Sequence, residues 1–486
     1  MRTGPAEPAA ERGYVPLLLL ASSATFLAVL DVTIVNLAIP DLHKDFQDSA
    51  VADLSWVITV YATLFAALLA PAGRLADVIG RRSLFTAGIA VFTAMSLACA
   101  LAPNIPVLLT ARALQGAGAA AMIPAALAIV LMDTPPERRR AAIGKWSAAS
   151  AFAAAVGPSI GGVLVDTLGW RSLFLINVPF GLLLLLRAHI IPRAARPEGS
   201  RLPDPIGTIL LGAGIGLLGL GISKGGDWGW GGAATLSCLA VGAAAMAITL
   251  LRSRTHSAPA VETGLWRSRT FALANLSVFF YGACLYAWLL VGVLYVTSVW
   301  HWSELKAGLA VTPGAVAATL VALYSGRIQT RYGPRTVVVA GAIVLAGTGF
   351  FLAFTLPDQP RFLTYWLPTG ILAGAGMGAI TTGTSTAAAL SVSPPRFAAA
   401  TGLNQTARQV GGAFGIATLA TLLSRASADA SDYGHVLLFC SIVTVLSGLA
   451  GLGLVIKAPP AAPQGQPARG STSGAAQTAE AKPTTL

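Results

Sequence analysis

Asp31 is the one carboxylate well inside an apolar run of this 486-residue chain, since Asp166 and Asp204 fall near the ends of such runs. An ionised carboxylate in an apolar medium is costly unless it is paired or faces water. Burial favours its protonated form, and a neighbouring cation favours its charged form. A group held between those influences can load and release a proton. The matching cation is Arg112: on antiparallel spans, Asp31 lies about 13 Å short of the exit of the first helix and Arg112 about 10 Å past the entry of the fourth. Gln115 is three residues further on and shares Arg112's helical face. Proton-coupled movement is the chemistry this pair offers, with a static ion pair that fixes packing as the alternative.

Metal and enzyme chemistry have no comparable support. Cys99, Cys238, Cys284 and Cys440 lie in apolar runs without a close-spaced pair, and His43, His189, His256, His301 and His435 sit at segment ends or in loops. No metal and no cofactor are expected. GPSIG at 157–161 fits a nucleophile-elbow string and GIGLLG at 214–219 a dinucleotide string, but neither has the strand-to-helix context its chemistry requires.

Three further groups suit moving parts. In GRLADVIGRR, residues 73–82, Gly73 and Gly80 permit a tight reversal and close helix approach, and Asp77 can cap a helix start and pair with Arg81 or Arg82. Such a clamp could hold a gate shut, although retained positive charge beside a span is the simpler use of the same residues. GPSIGG at 157–162 offers Gly157 and Gly161 for close helix contact, Gly162 beside them, and Pro158, which removes a backbone hydrogen bond and favours a bend. Asn404 and Arg408 share a helical face beside Gln405 and Gln409, where they line a cavity or satisfy one another against a neighbouring helix. Candidates for a substrate cavity are Asn36, Tyr61, Gln115, Tyr281, Asn404 and Arg408, with Phe26, Phe65, Tyr286 and Trp288 as apolar wall.

The elements that must position these residues are membrane spans. Hydrophobic residues make up 55% of the chain and charged residues 11%, against about 25% charged in a soluble domain, so a water-soluble fold is excluded. Apolar stretches fall near residues 15–40, 54–75, 83–102, 105–131, 140–166, 171–191, 205–224, 232–251, 270–298, 305–326, 336–356, 362–390, 397–423 and 435–457, predicting fourteen helices. The first is too long for a cleaved leader. The 32 Lys and Arg residues are divided among many loops, so no single face could track a nucleic acid. Of these, 24 fall on the side that holds both termini and 6 on the other, which predicts both termini in the cytoplasm.

The chain also repeats itself. GRLADVIGRR at 73–82 returns as GRIQTRYGPR at 326–335, LQGAGAAA from Leu114 as LAGAGMGA from Leu372, and VGPSIGG from Val156 more weakly as VGGAFGI from Val410. Near-equal offsets in the same order imply two homologous six-helix halves, residues 15–191 and 270–457, joined by a linker at 192–269 that holds two inserted helices. Residues 1–14 would be a cytoplasmic N-terminus, and 458–486, rich in Pro, Ala, Gly, Ser and Thr, a disordered cytoplasmic tail.

LDVTIVNLAIP at 30–40, GRLADVIGRR, RALQGAGAAAMIP at 112–124, GPSIGG, WRSLFLINVPFG at 170–181 and GLNQTARQVGGAFG at 402–415 together resemble the motifs of the major facilitator superfamily, specifically its fourteen-span drug:proton antiporter family. The resemblance implies an all-α polytopic protein of the plasma membrane, a monomer that exports drugs or other small amphipathic organic compounds by alternating access. It implies coupling to protons through Asp31 and Arg112, a cytoplasmic gate at Gly73, Asp77, Gly80, Arg81 and Arg82, and a pivot or proton-leak seal at GPSIGG. A dedicated metabolite carrier or importer of the same superfamily, or a membrane sensor that does not transport, are the alternatives. Two departures from the family pattern are Val78, where a basic residue is usual, and the lack of any acidic residue inside the last six helices.

Overall fold

Every regular element among the described residues, 9–46, 54–192, 202–423 and 430–456 of a computed structural model, is a helix. This follows from the composition, because a backbone in lipid must satisfy its own N–H and C=O groups and a helix does so within one segment. α1 (Ala9–Ile34) passes through a 3-10 turn, Val35–Ala38, into the short α2 (Ile39–Asp45). α3 (Trp56–Ile79), α4 (Arg81–Ala100), α5 (Ile105–Asp133) and α6 (Arg139–Leu168) follow. The sixth expected helix is broken into α7 (Ser172–Leu175), α8 (Asn177–Arg187) and a 3-10 turn. α9 (Pro205–Trp228) and α10 (Ala233–Thr255) form the inserted pair, joined near their ends by the Asp204–Arg252 ion pair. α11 (Arg269–Ser298), α12 (Glu304–Thr355), α13 (Leu367–Leu390), α14 (Phe397–Leu422) and α15 (Ala430–Gly451) complete the order.

Where loops are expected at 73–82 and 326–335, the chain makes hinges of one residue. α3 continues to Ile79, Gly80 alone leaves the helix at φ +103°, and α4 begins at Arg81. In the second copy Gly333, at φ +75°, is the single non-helical residue inside α12. Both values lie in the region that a Cβ disfavours. Gly333 stands 253 residues after Gly80, the same offset as the sequence repeat.

Eleven helices among the described residues are long and apolar enough to cross a membrane, against fourteen expected. α12 is 52 residues long and covers two of the expected helices as one stretch. α13 and α14 are not among the eleven; they carry runs of Thr and Ser at 381–386 and the polar group Asn404, Gln405, Arg408 and Gln409.

Buried apolar side chains gather mainly into clusters from residues 17–191 and from residues 265–454, with a smaller one joining α3 to α9. Small residues set the helix spacing. A Cβ on Gly116 would lie 2.6 Å from the Tyr61 carbonyl, and one on Gly88 2.9 Å from that of Gly118, so α3, α4 and α5 meet backbone to backbone. The compact unit that holds these helices ends at Ile456, and the tail expected at 458–486 lies outside the described residues.

Candidate functional site

α1, α4, α5 and α8 bring one polar cluster together inside an apolar bundle. Asp31 and Arg112 are 0% and 1% exposed, and Arg112 Nη1 donates to Asp31 Oδ2 at 2.8 Å. The other carboxylate oxygen accepts from Gln115 Nε2 at 3.0 Å and from Asn177 Nδ2 at 2.8 Å. Ser96 Oγ takes a second hydrogen from each of those amides, at 2.6 and 3.1 Å. Arg112 also donates to Gln115 Oε1 at 2.6 Å and, through Nε, to the Val57 carbonyl of α3 at 3.1 Å. Its guanidinium carbon stands 4.2 Å from the Tyr61 ring centre and 5.5 Å from that of Phe174. The carboxylate thus has a cation and two amide donors, and the cation has an anion, two neutral acceptors and two aromatic faces. Truncating one member of such a buried pair typically costs about 3–5 kcal/mol, because the other charge is left without compensation.

GPSIGG packs beside this cluster. A Cβ on Gly157 would overlap the Thr33 side chain, and one on Gly161 would lie 2.9 Å from Leu37 and 3.1 Å from Ile34. α6 therefore touches α1 where its α-helix gives way to the 3-10 turn, two to six residues beyond Asp31. Pro158 lies inside α6, and Gly162 is half-buried beside Gly161.

At the hinge, Asp77 is 2% exposed at its side chain and accepts twice from Arg81, at 2.8 and 3.1 Å. Its other oxygen accepts from the Ala399 amide of α14 at 2.8 Å. The helix start that Asp77 caps therefore belongs to the second half of the chain, where a carboxylate also suits the positive end of the helix dipole. Arg81 reaches the Pro394 carbonyl at 2.9 Å. Arg82 does not join Asp77 but donates to the Ile191 carbonyl at 2.8 Å. Gly73 admits the Ala398 backbone where a Cβ would overlap it, and Gly402 admits that of Leu69 in the same way.

Glu262, on the segment between α10 and α11, pairs with Arg74 of α3 at 2.6 Å and with Arg396, just before α14, at 2.8 Å. The repeat-related seam runs between α6 and α12. There a Cβ on Gly326 would lie 2.7 Å from the Arg140 carbonyl, and one on Gly144 2.8 Å from that of Ala322. Thr330 stands at the repeat position of Asp77 and bonds only within its own turn, to Arg327. One seam is thus clamped by charge, while at the other glycine meets backbone.

In the second half, Tyr281 donates to the Met377 carbonyl at 3.2 Å and accepts from Thr381 at 2.7 Å, while Tyr286 donates to Gln409. Asn404 and Arg408 make no bond to each other among the described residues, and their helix packs on α11, with Gly282 against the Arg408 backbone. Of the candidate cavity residues, Tyr61, Gln115, Tyr281 and Asn404 are buried, Arg408 is half-buried and Asn36 is exposed. A small apolar pocket of about 20 Å³ does occur, lined by Trp288, Val291, Tyr295, Leu352, Trp366 and Tyr433 among others.

Sequence reasoning did not single out Asn177, Ser96, Arg74, Glu262 or Arg396. Asn177 carries a signal, as a lone amide in the apolar run WRSLFLINVPFG; Ser96 and Glu262 carry none, because their partners are distant in the chain.

An apolar multi-helix bundle with a buried ion pair and glycine seams between repeated halves defines a multi-pass membrane transporter rather than an enzyme. The chain belongs to the Major Facilitator Superfamily, whose family model matches residues 21–300 and 274–484. It is 35% identical to the puromycin resistance protein pur8 of Streptomyces alboniger, over 88% of this chain and 87% of that one. It is 34% identical to the cephamycin export protein CmcT of Amycolatopsis lactamdurans, over 91% and 92%. Its fold is similar to the crystal structure of the human organic anion transporter MFSD10 (TETRAN), with a TM-score of 0.65 at 14% identity, covering 92% of this chain and all of that one.

Proposed function

We propose that this transporter is a proton-coupled antiporter that exports drugs or other amphipathic organic compounds by alternating access. The similar proteins bear the names of resistance and export proteins, which supports the direction and the class of cargo. The observation that carries the coupling is the buried Asp31 cluster, in which one carboxylate is matched to one cation across helices α1 and α5.

In this reading the chain spans the plasma membrane fourteen times as a monomer, with α12 supplying two spans and α13 and α14 one each. Both termini, and the hinges at Gly80 and Gly333, face the cytoplasm, as the distribution of basic residues suggests. The Asp77, Arg81 and Glu262 contacts then close the cytoplasmic side. A proton arriving from outside neutralises Asp31 and loosens its pairing with Arg112, which favours release of cargo outward. Deprotonation toward the cytoplasm re-forms the pair and reopens the cargo site. Proton and cargo must each disfavour binding of the other, since the coupling is reciprocal. One proton crossing about 100 mV supplies roughly 2.3 kcal/mol, enough for about a fifty-fold gradient of a neutral cargo. No cofactor is required.

The test is dye efflux from cells that express the protein, with and without a proton uncoupler. Efflux that collapses with the uncoupler is expected; uptake, or efflux indifferent to the uncoupler, rejects the reading.

A further inference from the structure

Arg408 is the single charged residue deep inside the spans expected in the second half, since Lys306 stands at the start of α12 and Arg327, Arg331 and Arg335 about its hinge. Of the acidic residues there, Glu304, Asp358 and Asp432 stand at or beyond helix ends and Asp429 lies outside the described residues, whereas Arg408 lies eleven residues into the 26-residue α14. Among the described residues it has no ion pair and no hydrogen bond, and its Nε is buried without a partner. Arg112, inside α5 of the first half, has an anion, two acceptors and two aromatic faces. A guanidinium always carries its charge. Arg408 is half-buried with its Nε enclosed, so its charge is free to pair with an anion that reaches its terminal nitrogens. A free donor to an anion stands beside it: Asn404, 2% exposed and one turn away on the same face, leaves Nδ2 unpartnered.

We propose that the exported compounds are organic anions, and that Arg408 with Asn404 binds their anionic group at the centre of the second half. The inference rests on the export reading above and narrows its cargo to amphipathic molecules bearing a carboxylate or similar group. Separate halves then handle separate charges: the first binds the proton on Asp31, the second the cargo anion on Arg408. Because an anion leaves as protons enter, each turnover moves one more charge than it moves protons. With one proton, 100 mV would support about a two-thousand-fold gradient instead of about fifty-fold.

The probes are 11-(dansylamino)undecanoic acid and its uncharged methyl ester. Binding to the purified full-length protein is followed by dansyl fluorescence, and flux of the acid is followed in liposomes with the potential set by potassium and valinomycin. The acid should bind at least tenfold more tightly than the ester. Arg408→Gln should erase that preference, Arg408→Lys should keep part of it, and in flux the charge moved should exceed the protons moved by one. Equal binding of acid and ester, no binding of the acid, or a preference that survives Arg408→Gln overturns the proposal. The export reading fails separately: an acid preference that depends on Arg408, without proton-linked flux, supports the anion site and rejects proton-driven export. Proton-linked flux of the cation ethidium, without acid binding, does the reverse.

Discussion

Three donors converge on the Asp31 carboxylate, and the strength of that arrangement makes each of them measurable. Asp31→Asn removes the titrating group while keeping its shape, so proton-driven efflux should be abolished with the protein still in the membrane. Undiminished efflux in everted vesicles would remove Asp31 from the coupling role. Asn177 holds the charged form of Asp31 through a 2.8 Å bond, and a hydrogen bond to a charged group contributes about 1.5–3 kcal/mol. Asn177→Ala should therefore weaken the Asp31–Arg112 arrangement and lower the rate of proton-driven efflux severalfold, while Asn177→Gln, which keeps the amide donor, should retain part of it. Equal efflux in Asn177→Ala and the parent would show that Asn177 serves packing only.

Between helices, the small residues of α6 decide how near α1 can come. Gly157→Val puts a branched side chain where Thr33 already stands, and overpacking of this kind costs about 1–3 kcal/mol. Turnover should fall sharply while expression is largely retained; normal turnover would refute the close-contact argument. The hinge at Gly80 makes a different demand. Its φ of +103° is a backbone requirement, while the space around it is loose, since a Cβ there would lie 3.9 Å from Ser83 Oγ. Gly80→Ala should therefore lower thermal stability by about 1–2 kcal/mol without altering the packing of α3 on α14. A stability equal to the parent would show that the turn tolerates a Cβ.

Across the whole molecule, the two repeat-related seams are alike in glycine and unlike in charge. Asp77 and Glu262 both cross the α3–α14 seam, and Glu262 reaches it from the segment that follows the inserted helices. The inserted pair is thereby tied to that seam. Glu262→Gln should weaken closure on that side and raise the rate at which an impermeant thiol reagent, supplied from the cytoplasmic face, labels a cysteine placed at Leu403. The measurement uses a background in which the four native cysteines are replaced. Labelling no faster than in the parent would mean that the Glu262 pairs do not hold the gate. No such effect is expected from Thr330→Ala, because Thr330 bonds only within its own turn.

The features legible in the order of residues follow from energies that are local or very large. Long apolar runs dictate membrane helices because an unsatisfied backbone in lipid is prohibitive, the 253-residue offset reveals two repeated units, and a lone carboxylate in an apolar run demands a cation, which Arg112 supplies at matching depth. Three-dimensional packing settled the rest. Only the meeting of four helices brings Ser96 and Asn177 to Asp31, and only the approach of the two halves sets Asp77 at the start of α14 and Glu262 between Arg74 and Arg396. Those contacts join residues tens to hundreds of positions apart, and no periodicity or short motif encodes which distant neighbour a polar side chain will meet.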